Sequence, residues 1–188
     1  MKVSTDGGSS WSSITEYKYG PEGNRVEKIA DGVNTRYLID AQNLTGYSQV
    51  FVETTGTSKT SYVIGDDVLS QATGNTSTAP KSLLYDGHGS TRQLTNTGGT
   101  VITGESYSYD SYGVLLGGER TTQTNFLYTG EQYDSSAEMY YLRARYYNPM
   151  NGRFNQTDPF AGSPQDPQSL HKYLYCHANP MNGTDPSG

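Results

Sequence analysis

The sequence predicts an all-β protein built from antiparallel hairpins. Three observations carry this expectation. Tyr-centred runs and Gly-containing turns succeed one another every ~8–12 residues, the spacing of short strands joined by tight turns. Tyr-x-Tyr units recur at Tyr17/Tyr19, Tyr107/Tyr109 and Tyr173/Tyr175, and repetition of this kind favours a sheet made by stacking similar hairpins. The third observation is the 17 tyrosines. Leu, Val, Ile and Phe together make up only about 16% of the chain, below the roughly 20% that points to disorder. Net charge is only −6, however, and each Tyr buries a large ring while favouring strand backbone. An ordered β protein with a thin core is expected.

Taken in order, residues 1–15 are rich in Ser, Gly and Thr with one Trp and read as a weak strand or an untidy edge. Tyr17-Lys18-Tyr19 alternates into a Gly20-Pro21 turn, and Asn24-Arg25-Val26 resumes the alternation, a hairpin signal. Strands are expected over 35–40 and 47–53. Two more, over 60–65 and 68–72, flank Asp66-Asp67. Residues 73–80 lack apolar content and read as a loop. A Gly-rich turn, Asp86-Gly87-His88-Gly89, separates strands at Leu83–Tyr85 and Thr91–Thr95. Asn96-Thr97-Gly98-Gly99 is the next turn. Val101-Ile102 leads into Glu105–Gly113, and Phe126–Gly130 opens the last hairpin before the C-terminal stretch. A short helix fits only between Ser163 and Tyr175, where Pro164 and Pro167 suit a first turn. Each hairpin alone is marginal, so neighbours must cover its edges.

Composition excludes several classes. The acidic balance, with a pI of about 4.9, argues against a nucleic-acid footprint, which is basic. No run of about 18 apolar residues exists, so no membrane span is expected. The segment Met1–Gly7 lacks the apolar stretch of a signal peptide. The lone Cys176 makes no internal disulfide, and one Cys with three scattered His gives no zinc pattern. No cofactor or metal is expected.

Chemistry concentrates between Tyr140 and Gly188. Tyr140-Tyr141-Leu142-Arg143-Ala144-Arg145-Tyr146-Tyr147 reads as one extended segment, with Tyr141, Arg143, Arg145 and Tyr147 on one face and Tyr140, Leu142, Ala144 and Tyr146 on the other. Two like charges side by side need solvent or carboxylates opposite them. The arginines either pack their stems and wet their heads, or aim at a buried acid. Asp158-Pro159 and Asp185-Pro186 supply two carboxylates. Asp-Pro is an ordinary turn opener, since the residue before Pro is held extended and Asp bonds nearby amides. Paired carboxylates sharing a proton also suit aspartyl-type hydrolysis.

These blocks resemble the Rhs/YD-repeat family. Tyr107-Ser108-Tyr109-Asp110-Ser111-Tyr112-Gly113 resembles its Tyr-Asp repeat, and Asp86-Gly87-His88-Gly89-Ser90-Thr91-Arg92 resembles an element found ahead of its core domain. Residues 126–188 resemble the Rhs repeat-associated core nearly throughout: Tyr140–Tyr147, Gly152-Arg153-Phe154, Asp158-Pro159 and Asp185-Pro186-Ser187-Gly188 occur in order. The resemblance divides the chain into a hairpin strip at 1–125 and a core, or plug, at 126–188. It implies a curved antiparallel sheet forming part of a shell around a C-terminal toxin segment. The plug would cut the chain just beyond Gly188, with Asp158 and Asp185 as the acid pair and Arg153 holding or polarising a carboxylate. Water would be the nucleophile. The family usually has a Leu next, with the cut after it, so the bond expected to be cut is absent from these 188 residues. The partners implied are the downstream toxin segment, the rest of the shell and secretion-apparatus proteins. The implied location is secreted or at the bacterial cell surface.

Two other readings compete. One is a structural or adhesive YD module that binds carbohydrate or protein through exposed Tyr. The other is a two-carboxylate glycosidase, which lacks a recognisable acid pair in a cleft pattern. His88, His171 and His177 have no nucleophile context, and Gly87-His88-Gly89 lacks the setting of a phosphate loop.

Overall fold

The computed structural model describes residues 2–3, 13–74, 79–116 and 122–188. Most of the expected weak strand at 1–15, and residues 75–78 of the expected loop, lie outside the described residues. The fold is antiparallel β with short 3₁₀ turns and, among the described residues, no α-helix. Among the described residues no helix is long and apolar enough to cross a membrane. Two compact units divide the chain: Met1–Leu83 with Asn96–Gly99, and Leu84–Thr95 with Thr100–Gly188.

In the first unit, strands β1 (Lys2–Val3), β2 (Ser13–Tyr19), β3 (Arg25–Ala30), β4 (Val33–Asp40), β5 (Gln49–Thr55), β6 (Ser58–Ile64), β7 (Val68–Thr73) and β8 (Lys81–Tyr85, whose last two residues fall in the second unit) are antiparallel neighbours in sequence order. The turns explain the register. Asp31-Gly32 joins β3 to β4 with both residues at positive φ, 49° and 77°, matching a two-residue hairpin turn to the strand twist. The 20–24 turn closes as expected, with Gly20 N donating to Asn24 O at 2.8 Å. Period-2 alternation buries Thr35 and Tyr37 of β4 while Leu38 stays 59% exposed. Tyr37 and Tyr62 belong to the buried set, and Arg25 lies over the Tyr37 ring at 4.4 Å. The core is thin, as composition implies, and mixes the rings of Tyr37 and Tyr62 with Val50, Val68 and Leu83.

The second unit contains the hairpin of β9 (Thr91–Thr95) and β10 (Val101–Ser106) and a four-stranded sheet. That sheet runs β11 (Gln132–Asp134), β12 (Met139–Leu142), β13 (Arg145–Asn148) and β14 (Arg153–Phe154), again in sequence order. Phe126–Gly130 opens a short hairpin, as expected, through a 3₁₀ turn at Tyr128–Gly130 rather than a regular strand: Leu127 N donates to Glu131 O at 3.0 Å, Tyr133 N to Asn125 O at 2.7 Å, and Phe126 bridges Gln132. The short helix expected at 163–175 is a single 3₁₀ turn, Pro167–Leu170, with Pro in its first positions.

A chain of rings forms the core of this unit. Tyr128, Tyr140, Tyr147 and Tyr175 follow one another at centroid separations of 6.0, 6.3 and 4.1 Å. Phe154 packs edge-on to both Tyr147 and Tyr175. A buried phenol needs an acceptor, and three of these find one in the same short loop. Tyr128 donates to Ser111 O at 2.8 Å, Tyr147 to Tyr112 O at 2.8 Å and Tyr140 to Gly113 O at 2.9 Å. The Tyr-Asp repeat element therefore serves the core as a rack of carbonyls.

Candidate functional site

The site begins with a correction to the expected strand at 140–147. It is a hairpin, with Leu142 paired to Arg145 across a two-residue turn at Arg143-Ala144. Arg143 adopts φ +60°, the left-handed region, which reverses the chain and ends the alternation. The two arginines therefore do not share a strand face. Leu142 is buried as expected, whereas Ala144 is exposed at the tip.

Both arginines aim at acids. Arg143 Nη1 donates to both carboxylate oxygens of Glu131, at 2.9 and 2.8 Å, and to Pro186 O at 2.5 Å. Arg145 lies on the sheet face that carries Tyr147 and Phe154, because Leu142↔Arg145, Tyr140↔Tyr147 and Tyr147↔Phe154 are register pairs. Its guanidinium rests on the Phe154 ring at 3.7 Å, a cation–π support that fixes the plane of the fork. From there Nε donates to Gly188 O at 2.6 Å and Nη1 reaches Lys172 O at 3.5 Å. Nη2 meets Asp158 Oδ2 at 3.0 Å and Asp185 Oδ2 at 3.5 Å. The Arg145 side chain is only 7% exposed, against 30% and 27% for the two aspartates.

The two aspartates divide their oxygens in the same way. Asp158 Oδ1 accepts from Phe160 N at 2.8 Å, and Asp185 Oδ1 accepts from Gly188 N at 3.0 Å and Ser187 Oγ at 3.1 Å. Each Asp-Pro step is thus a turn, as its local chemistry requires. In each, the other oxygen is left for Arg145. Backbone pairing carries the first step into place: Asp158 N donates to Lys172 O, and Phe154 N to Tyr173 O, both at 2.9 Å.

The third sequence-assigned residue sits elsewhere. Arg153 precedes Phe154 on β14, so alternation sends its side chain to the opposite face of the sheet from the Arg145–Phe154 stack. It is exposed. The guanidinium on the two carboxylates is that of Arg145.

Glu131 was not found by sequence reasoning. It follows the 3₁₀ turn at Tyr128–Gly130, in a stretch with no motif to mark it, and only the need of Arg143 for a buried acid hinted that such a residue exists. Burial pushes its carboxyl up from 4.5 to about 7, Arg143 works in the opposite direction, and the negative charge of Asp185 adds to the rise. Desolvation outweighs the pairing here, so the carboxyl is held above its ordinary value although Arg143 is bonded to both of its oxygens.

Left-handed backbone at non-Gly residues also gathers in this unit, at Arg143 and at Cys176, His177 and Ala178, with φ of 60°, 46°, 52° and 58°. Burial raises the Cys176 thiol to about 11, which leaves it a packed thiol rather than a nucleophile. Among the described residues no group of three or more His, Cys, Asp or Glu could hold a metal ion.

No family model matches the chain. The chain is 34% identical over 178 residues to the tRNA3(Ser)-specific nuclease WapA of Bacillus spizizenii, and 32% identical over 176 residues to the tRNA nuclease WapA of Bacillus subtilis. Each alignment covers 92% of this chain, which spans only 7% of the length of either relative. Among solved structures, a TcdB2-TccC3 crystal structure superposes with a TM-score of 0.69 at 22% identity, over 98% of this chain and 9% of that one. The likeness in structure establishes the antiparallel β fold.

Proposed function

We propose that this chain is the C-terminal part of an Rhs/YD-repeat shell, with residues 1–125 contributing hairpins to the wall and residues 126–188 forming a plug that cuts the polypeptide just beyond Gly188. One observation carries the proposal: Arg145 holds Asp158, Asp185 and the carbonyl of Gly188 together in one place. Two carboxylates and the backbone leading to the expected cut converge on a single, nearly buried cation. The order of the sequence blocks, the similarity to the WapA nucleases and the fold likeness to TcdB2-TccC3 all support it.

In this reading water is the nucleophile. One aspartate takes a proton from it while the other, protonated, donates to the departing amide, and the roles follow the shared proton. Arg145 compensates the paired negative charge before the cut and must loosen from one Oδ2 for that proton to enter; the 3.5 Å contact to Asp185 is the one placed to yield. Motif points to Arg153 and geometry to Arg145, so variants of the two separate the assignments. The segment beyond Gly188, the remainder of the shell and components of a secretion apparatus are the partners, and the setting is secreted or at the bacterial cell surface.

The test is to extend the chain past Gly188 with Leu and a downstream segment, within enough of the shell to complete the plug, and follow the products by gel and intact mass. Asp158→Asn and Asp185→Asn are each expected to abolish cleavage, and EDTA to leave it unchanged. Arg145→Gln is expected to slow cleavage more than Arg153→Gln. Cleavage persisting in both Asn variants would return the two Asp-Pro steps to the role of turns. An uncut parent would leave a structural or adhesive module.

A further inference from the structure

The turn at 143–145 does more than gather carboxylates. Three consecutive residues receive three consecutive carbonyls of the C-terminal segment: Arg143 Nη1 takes Pro186 O at 2.5 Å, Ala144 N takes Ser187 O at 3.3 Å, and Arg145 Nε takes Gly188 O at 2.6 Å. The two stretches therefore run side by side in the same direction and in fixed register. The donors are themselves held, Arg143 by Glu131 and Arg145 by the Phe154 ring. The segment is closed from its own side by Asp185 Oδ1, which accepts from Ser187 Oγ and Gly188 N.

Each of these three contacts goes to backbone. Beyond the Asp185 side chain, which meets Arg145 Nη2 at 3.5 Å, selectivity enters at one further position. Gly188 has φ +78°, and a Cβ built on it would lie 1.9 Å from Leu142 O and 2.9 Å from Arg145 N. Those obstacles are backbone of the hairpin turn and cannot swing aside as a flexible side chain would. Ser187, by contrast, is exposed.

We propose that Arg143-Ala144-Arg145 is a peptide-backbone receptor for an Asp-Pro-x-Gly segment. It excludes any Cβ at its last position, and it fixes the register of whatever polypeptide follows Gly188 relative to Asp158 and Asp185. Arg143 and Arg145 are positioning residues, and Gly188 is the specificity-determining position. The second half of this statement rests on the self-cleavage reading; the receptor itself does not. Reading the Asp185 carboxylate, three backbone oxygens and one glycine, the receptor makes no contact that depends on the side chains of the sequence downstream.

Two measurements keep the two ideas separable. In the 188-residue chain, amide hydrogen exchange is followed at Ala144, with Tyr141 and Tyr146 of the same hairpin as internal reference. Gly188→Ala is expected to speed exchange at Ala144 by about tenfold or more while the reference amides stay protected. The double variant Arg143→Gln/Glu131→Gln, which removes the donor to Pro186 without stranding a buried charge, is expected to do the same. Unchanged protection of Ala144 in both variants would overturn the receptor. In the extended chain, Gly188→Ala is expected to abolish the cut or spread it over several bonds, read by intact mass. A single cut at the unaltered bond in that variant would overturn the fixing of register. Failure of the unaltered extended chain to cut would refute self-cleavage, and the exchange data would still decide the receptor.

Discussion

Arg145 shows how one residue can give two common turns a second role. An Asp-Pro step uses one carboxylate oxygen to bond its own turn, and only a third party can employ the other. Here that party is a guanidinium held flat on Phe154 and 7% exposed. Removing it leaves two carboxylates without their shared cation. For a buried pair such a loss costs about 3–5 kcal/mol; with the aspartates 30% and 27% exposed, water recovers part of it, and about 2 kcal/mol is expected for Arg145→Gln. Arg153→Gln, on the exposed face, is expected to change stability by no more than about 0.5 kcal/mol. Urea unfolding of the two variants checks the contrast. Glu131 carries a pH signature of opposite sign to the usual carboxylate. Its folded value of about 7 lies above its ordinary 4.5, so the stability it contributes is fully present below about pH 4.5 and is lost as pH rises through about 7. The difference corresponds to at most about 3 kcal/mol. Glu131→Gln is expected to flatten this fall. Urea midpoints of parent and variant compared from about pH 5 to pH 8 would show the gap closing in the variant's favour, and a gap independent of pH would contradict the assignment.

At the scale of elements, the Tyr-Asp repeat has a physical content that sequence spacing only hinted at. In Tyr85-Asp86-Gly87-His88-Gly89 and Tyr109-Asp110-Ser111-Tyr112-Gly113 the same turn is built twice. Asp Oδ1 accepts from the amides two and four residues on: His88 and Ser90 at 3.0 Å each in one, Tyr112 and Val114 at 2.9 Å each in the other. The Gly three residues on takes positive φ, 80° and 89°. Gly113 also abuts the Tyr128 ring, and a Cβ added there would lie only 2.5 Å from it. Gly113→Ala is therefore expected to cost about 3 kcal/mol or more, combining left-handed strain with overpacking. Asp110→Ala, which unbonds two amides, is expected to cost about 1–3 kcal/mol. Thermal or urea unfolding of each variant measures both, and a neutral Gly113→Ala would show that the loop yields where it is described as rigid. Strand positions, the turns at 20–24 and 96–99, and the all-β class were legible because they rest on local alternation and turn chemistry. The hairpin at 143–144 was not, because Arg and Ala carry no turn signal and only the pairing of Leu142 with Arg145 reveals the reversal. The two Asp-Pro steps were legible as turns; that Arg145 is the arginine reaching both carboxylates was not, since which face of β14 meets them depends on register with β13.

Across the whole molecule, rings supply much of the buried apolar area beside a smaller set of aliphatic side chains. In the second unit the hydroxyls of Tyr128, Tyr140 and Tyr147 are anchored on backbone carbonyls, so that core is held by position as much as by burial. The first unit's sheet keeps large apolar side chains exposed, Leu38 at 59% and Val63 at 56% among them. The second unit is where strands, turns and the C-terminal segment bring the chemistry together. Everything proposed for that unit turns on whether its two carboxylates direct water at the bond beyond Gly188. Self-cleavage of the extended chain in water enriched in heavy oxygen, read as the intact mass of the plug-bearing product, decides this. One heavy oxygen in the new C-terminal carboxyl is expected, with no product from the Asp158→Asn or Asp185→Asn chain. A cut that incorporates no solvent oxygen, or one that proceeds in both Asn variants, would show that the pair does not perform the hydrolysis.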